Sequence, residues 1–284
     1  MTTYWEGQKL GTIYGYKTDG QFKTDKEALE YENSFNVNGR PPGVNLGQVY
    51  NYELNIVQNT EWKHLRAGDV KYLDLNNDGA INKGKSTLDD HGDWAAIGNA
   101  MPQYPFGFTI NADWKNIDLS IAGAGVTKQD WYPSGDIYWG TYERPYLSFI
   151  RKDLVANAWT PENPGRYPQI QRGYAALNTS GQRSLGETND HYLTNVGYLR
   201  VKNVTIGYTL PERLTKRAQI QKLRVYVSGE NIFTWSFGGL TRYLDPEMAG
   251  AGVNYSNPSS AVVRGRAEDY PIGKIFSAGI NLTL

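Results

Sequence analysis

Residues 104–125 read YPFGFTINADWKNIDLSIAGAG. Tyr104, Phe106, Phe108, Ile110, Ala112 and Trp114 alternate with Gly107, Thr109, Asn111 and Asp113, so one face of an extended strand collects the large apolar side chains. Lys115 and Asn116 follow, and the alternation then resumes with Ile117, Leu119 and Ile121 opposite Asp118 and Ser120. Two alternating runs separated by two residues predict a tight antiparallel hairpin.

The same period recurs towards the C-terminus. Phe276, Ala278, Ile280, Leu282 and Leu284 share one face of KIFSAGINLTL, with Ser277, Gly279, Asn281 and Thr283 on the other. KLRVYVSGENIFTWS carries Leu223, Val225, Val227, Phe233 and Trp235 on one side. LRVKNVTIGYTL puts Val204, Ile206, Tyr208 and Leu210 together, but its first half runs in the opposite phase, which predicts a bulge near Lys202 and Asn203. Strands are therefore expected at about 104–114, 117–126, 198–210, 222–236 and 276–284, with a short helical turn after Pro211.

The connections are unequal. Residues 115–116 and 211–221 are short links, whereas 1–103, 127–197 and 237–273 are long and rich in Gly, Pro, Asn and Tyr. Long structureless loops are uncommon in a compact soluble domain. Short turns at one end and long loops at the other are the habit of outer-membrane barrels, whose strands also run ~9–11 residues with an apolar outer face. Tyr104, Trp114, Tyr208, Trp235 and Phe276 lie at strand ends, where an aromatic girdle belongs. A soluble sandwich alternates in the same way, so the pattern alone leaves both architectures open.

Composition narrows the function. The chain has 284 residues, with 29 basic and 29 acidic side chains, which removes the case for a nucleic-acid partner. It has no cysteine, hence no disulfide and no thiolate nucleophile. His64, His91 and His191 are the only histidines and lack ligand or triad spacing. Asp89 and Asp90 are adjacent, a spacing that does not set two carboxylates across a glycosidic bond. No GxxxxGK[ST] phosphate loop is present, and no catalytic constellation is expected. There is no run of ~18 apolar residues for a helical span, and MTTYWEGQKLG has the form of neither an n-region nor an h-region.

If Leu284 ends on the periplasmic side, the five strands run down, up, down, up and down, and residues 1–103 are extracellular. Five strands are fewer than the ~8 that close a barrel. The chain is expected to be a C-terminal piece of a longer protein.

Several runs, in order, resemble the C-terminal portion of the SusC/RagA family of TonB-linked outer-membrane proteins. They are EGQKLGTIYGYKTDGQF (6–22), GDVKYLDLNNDGAIN (68–82), IGNAMPQYPFGFTINADWKNIDLSIAGAG (97–125), WTPENPGRYPQI (159–170), the 198–236 stretch, LDPE (244–247) and YPIGKIFSAGINLTL (270–284). The resemblance implies an all-β fold, the C-terminal part of a large antiparallel transmembrane β-barrel that is 22-stranded in the family, with the plug domain absent from this chain. It implies import of glycans or peptides with a SusD-like surface lipoprotein, powered through TonB by a region N-terminal to the barrel segment, in the outer membrane of Bacteroidetes-type cells. Leu284 departs from the aromatic that usually ends such barrels. Two alternatives stand beside this: a soluble calcium-stabilised β-sandwich that binds carbohydrate, and a TonB-dependent siderophore or vitamin receptor.

Two loops carry candidate sites. DLNNDGAINKGKSTLDD (74–90) places Asp74, Asn76, Asp78, Ala80 and Asn82 at positions 1, 3, 5, 7 and 9 of an EF-hand-type loop, with Gly79 at the turn position. Position 12, which needs a bidentate carboxylate, is Lys85, so a Ca²⁺ site here is expected to be weak, with Asp89, Asp90 or Asp93 to supply the missing oxygen if residues 83–88 bulge out; the competing reading is an Asx-rich turn that holds no metal. No cofactor is otherwise required. In DWYPSGDIYWGTYERPY (130–146), Trp131, Tyr138, Trp139 and Tyr142 are candidates for stacking on sugar faces; the competing role is packing of the loop itself.

Overall fold

The computed structural model describes residues 9–35, 65–133, 136–139, 142, 150–170, 187–239, 244–247 and 272–284. His64 and most of the 237–273 connection lie outside the described residues. The chain divides into two compact units. One comprises Met1–Ala100, Trp131–Thr194 and Gly252–Glu268; the other comprises Met101–Asp130, Asn195–Ala251 and Asp269–Leu284.

In the first unit, strand β1 (Thr12–Tyr16) pairs with β4 (Trp94–Asn99), and β2 (Thr18–Gln21) pairs with β3 (Val70–Tyr72), both antiparallel. Helix α1 (Asp25–Asn33) starts at Thr24, whose hydroxyl accepts from Glu27 N–H at 3.1 Å, while the Glu27 carboxylate accepts from Lys23 N–H at 2.9 Å. This reciprocal capping satisfies donors that the first helical turn leaves free. Phe22, Ala28 and Leu65 pack under the helix, and the Tyr31 hydroxyl donates to the Tyr72 carbonyl at 2.6 Å. The described residues of 131–194, a stretch expected as a connection between strands, thus fall in one compact unit with those of 1–100.

The second unit is one antiparallel sheet. Its strands are β5 (Gln103–Trp114), β6 (Ile117–Lys128), β7 (Tyr198–Thr209), β8 (Lys222–Ser236) and β9 (Ile275–Thr283), in the spatial order β9-β8-β7-β6-β5. Each runs on one of the five alternating stretches. Lys115 and Asn116 both take positive φ, 45° and 70°, as a two-residue hairpin turn requires. Helix α4 (Glu212–Thr215; α2 and α3 are Asp136–Trp139 and Lys152–Ala156 in the first unit) and a 3₁₀ turn at Lys216–Ala218 join β7 to β8. The bulge falls where the phase change puts it: Ala122 pairs with Asn203 and Gly123 with Val201, leaving Lys202 as the extra residue.

Candidate functional site

Register converts the alternation into cross-strand rows. Trp114, Ile117, Tyr208, Val225 and Ile280 form one row across all five strands, and Ile110, Ile121, Val204, Gly229 and Phe276 form another. Phe106, Gly125, Leu199 and Trp235 make a third, nearer the long connections. These rows are one face, and its large side chains stand exposed: Ile110, Trp114, Ile206, Val227, Trp235 and Ile280 among them. A soluble sandwich would bury this face against a second sheet. From Tyr104 to Trp114, ten residues at ~3.3 Å each and a barrel-like tilt of ~40° give a height of ~25 Å, the thickness of an outer-membrane apolar band.

Tyr104 and Trp235 lie towards the long-connection end, and Trp114 and Tyr208 share the row at the short-turn end. Phe276 does not belong to either belt. It opens its strand in sequence, but it pairs with Gly229, in the middle of β8, on the Ile110 row. Its level is fixed by the antiparallel partner strand, which continues past the start of β9 to Ser236. Its ring edge sits 3.4 Å from where a Cβ on Gly229 would lie, and Phe106 and Phe108 cover Gly125 and Gly123 in the same way.

The opposite face is polar. Asp118 on β6 and Arg224 on β8 reach across β7 in a two-pronged ion pair, with the Arg224 Nε to Asp118 Oδ1 distance at 2.8 Å and a second bond between Arg224 Nη2 and Asp118 Oδ2. They meet over Gly207, where a Cβ would lie 2.5 Å from Asp118 Oδ1, so a side chain there would push the pair aside. Nearer the long connections, Arg200 donates to Thr234 Oγ1 at 3.0 Å, Asp245 at 2.5 Å and Glu247 at 2.7 Å. Sequence reasoning singles out neither group, because the partners are 106 and 45 residues apart.

The 74–85 loop folds as a series of turns closed by its own Asp and Asn side chains. Gly79 N–H donates to Asp74 Oδ2 at 2.9 Å, Asp78 N–H to Asn76 Oδ1 at 3.1 Å and Ala80 N–H to Asp78 Oδ1 at 2.8 Å. Asp74 Oδ1 is buried with no hydrogen-bond partner, an oxygen that suits a hard cation. The rest of the donor set is thin. Among the described residues no three His, Asp or Glu side chains converge, and Lys85 pairs with Asp90 at 3.3 Å. Asp93 instead closes the loop through protein: its carboxylate accepts from Leu75 N–H at 2.7 Å and Asn82 N–H at 2.8 Å. Burial holds this carboxyl above the ordinary aspartate range, against the opposing pull of those donors. Ile81 is buried with Tyr16 and Tyr72, so the loop has an apolar anchor that its composition does not advertise.

The aromatic loop requires a correction. Trp131 and Trp139 are 0 % exposed, and Tyr138 and Tyr142 are buried beside them. Trp139 meets Tyr138, Tyr142, Tyr167 and Tyr192 edge-on, with centroids 5.1–6.2 Å apart, and its Nε1–H donates to the Pro133 carbonyl at 2.9 Å. Ring faces covered by other rings cannot stack on a sugar, so these four residues are a core. Burial pushes the Tyr192 hydroxyl well above the usual tyrosine value, which keeps the cluster uncharged.

No family model matches the chain. Among curated proteins it is 27 % identical over 220 residues to TonB-dependent receptor P26 of Formosa agariphila, covering 76 % of this chain and 20 % of that receptor. It is 26 % identical over 260 residues to TonB-dependent receptor P39 of the same organism, covering 87 % of this chain and 23 % of the receptor. The chain therefore spans about a fifth of the length of the curated relatives it matches. Among solved structures, that of the RagAB peptide transporter superposes over 98 % of this chain and 23 % of the transporter chain, with a TM-score of 0.53 and 18 % identity, a likeness of fold. With the ordered runs, a sheet apolar on one face and polar on the other, and relatives of this kind, the chain is similar to TonB-dependent receptors and resembles the C-terminal portion of the SusC/RagA family.

Proposed function

We propose that this chain forms part of the wall of a TonB-dependent transporter of the cell outer membrane, acting without enzymatic chemistry in nutrient uptake. The observation that carries the reading is the exposed apolar face spanning all five strands, backed by a polar face with ion pairs. Lipid is the medium in which such an apolar face is stable, and a water-lined lumen is the medium for the other. No helix among the described residues is long and apolar enough to cross a membrane, and strands need none. In this reading a SusD-like lipoprotein captures the ligand, and TonB engages a region N-terminal to the barrel segment.

The ligand class in this reading is a glycan or a peptide. The aromatic loop no longer favours the glycan, because its rings are buried. Deleting the gene in its host and testing growth on a peptide mixture or a glycan mixture as the limiting nutrient tests the proposal. Loss of growth on one, with a lipoprotein recovered alongside the chain in a detergent extract of the outer membrane, is the expected result. Unimpaired growth on both, with the chain released by a high-salt wash, would contradict it.

We also propose that the 74–85 loop takes Ca²⁺ weakly, through Asp74, Asn76, Asp78, the Ala80 carbonyl and Asn82. Asp74 Oδ1 supports this, and Lys85 at position 12 limits it. A dissociation constant of ~10⁻⁴ to 10⁻³ M is expected from calorimetry. Asp74→Asn should abolish the heat signal, and an unchanged signal in that variant would count against the loop.

A further inference from the structure

The bulge at Lys202 has a consequence for the polar face. On a regular strand Arg200 and Lys202 would be followed by an outward residue at 203, but the extra residue lets Asn203 pair on the same side as Arg200. Arg200 and Lys202 both meet the short turn Leu244–Glu247. Arg200 is 2 % exposed, and its Nη2 and Nη1 bond Asp245 Oδ1 and Glu247 Oε2. Lys202 Nζ lies 3.1 Å from Glu247 Oε2 in a half-exposed pair. Asp245 is the knot: its Oδ1 also accepts from Glu247 N–H at 3.0 Å, and its Oδ2 from Ile272 N–H at 3.2 Å. Leu244 and Pro246 are buried in the same turn. A polar wall thus carries a turn from a distant part of the chain, fastened by charge.

We propose that Arg200 is the positioning residue of a latch that holds the Leu244–Glu247 turn on the pathway-facing side of the wall, and that the Lys202–Glu247 arm is its weaker, releasable part. The assignment of that side as pathway-facing rests on the transporter reading; the latch itself does not. An exposed pair is screened by salt and contributes little, whereas a shielded, multiply bonded guanidinium is not replaced when one partner leaves. Lys202 should therefore matter less than Arg200.

The chain has no cysteine, so a single Pro246→Cys adds one reporter thiol at the turn, read as the labelling above that of the same membranes without the substitution. The protein is kept in its native genetic context, and outer membranes are treated with a membrane-impermeant maleimide. Labelling should be slow in the otherwise native chain and at least ~10-fold faster with Arg200→Gln, since local opening now exposes the thiol. Lys202→Gln should give a smaller rise. Arg200→Lys should restore part of the protection, because one charge remains but the planar fork is lost. Ser228→Cys, on the same face of β8, is the control and should label at one rate in all backgrounds. Fast labelling of the Pro246→Cys chain with Arg200 intact, or no change on adding Arg200→Gln, would overturn the latch. An equal rise in the Ser228→Cys control would overturn it too, because the wall itself would have come apart. Recovery of the chain outside the membrane fraction would sink the transporter reading separately, and the labelling rates would still report on Arg200.

Discussion

Ile110→Arg should strip the chain from the outer membrane, while Asn111→Arg one residue away should leave it there. Ile110 is 52 % exposed and pairs with Ile121, on the row midway between Trp114 and Phe106. If water covered that face, an arginine there would be nearly neutral, within about 0.5 kcal/mol as for most surface substitutions. If lipid covers it, the midplane cost is ~2–4 kcal/mol. That corresponds to a fall of roughly 30- to 700-fold in the ratio of assembled to unassembled chain, at about 1.4 kcal/mol per tenfold. Asn111 lies on the polar face opposite Ser120, where a long cation meets solvent. Quantifying each variant in the outer-membrane fraction, after expression from the native locus, checks the contrast. Equal recovery of the two would remove lipid from the outward face.

Trp139→Ala should destabilise the first unit by ~3–5 kcal/mol, the range for emptying a large aromatic from a core. The indole is 0 % exposed, four tyrosine rings meet it edge-on, and its N–H satisfies the Pro133 carbonyl. Alanine would leave both a cavity and an unpaired carbonyl. Trp139→Phe should cost less, because it retains much of the ring volume and loses the hydrogen bond. Hydrogen exchange at the Tyr192 amide, which donates to Asn189 Oδ1 at 3.2 Å, is a local readout. Faster exchange in Trp139→Ala than in Trp139→Phe is expected. Wild-type exchange in both, with a selective loss of sugar affinity, would return these rings to the role of a binding platform.

The strands are legible because each carries its large side chains on one face only, a pattern that survives whatever covers that face. The hairpin at Lys115–Asn116 and the bulge at Lys202 are readable for the same reason: a two-residue gap and a change of phase have few structural meanings. Levels across the sheet are not readable. Phe276 looks like a rim residue because it opens a strand, and only pairing with Gly229 shows it at mid-height. Aromatic residue type alone does not separate packing from recognition at Trp131, Tyr138, Trp139 and Tyr142, since both use the same rings. The cover comes from Tyr167 and Tyr192, far along the chain.

Helix α1 is a different kind of miss. The signal, Thr24 followed three residues later by Glu27, stands in the sequence, but it lies in a segment whose other residues read as loop. Asp93 is nameable as an oxygen donor near the 74–85 loop. Its two acceptor bonds to Leu75 and Asn82, which close the loop without an ion, depend on a fold-back that spacing does not encode. Arg200 with Asp245 and Glu247 is the extreme case, a charge cluster assembled from segments 45 and 47 residues apart.

The two-faced wall is open to one direct measurement. Because the chain lacks cysteine, single cysteines can be placed along β8, from Leu223 to Trp235, and spin-labelled in outer membranes from the native host. Oxygen, which concentrates in lipid, should relax the labels at 223, 225, 227, 233 and 235. A water-soluble nickel complex should relax those at 224, 226, 228 and 234. Uniform access to the nickel complex along the strand, or protection of the odd positions from both agents as in a packed soluble sandwich, would contradict the account.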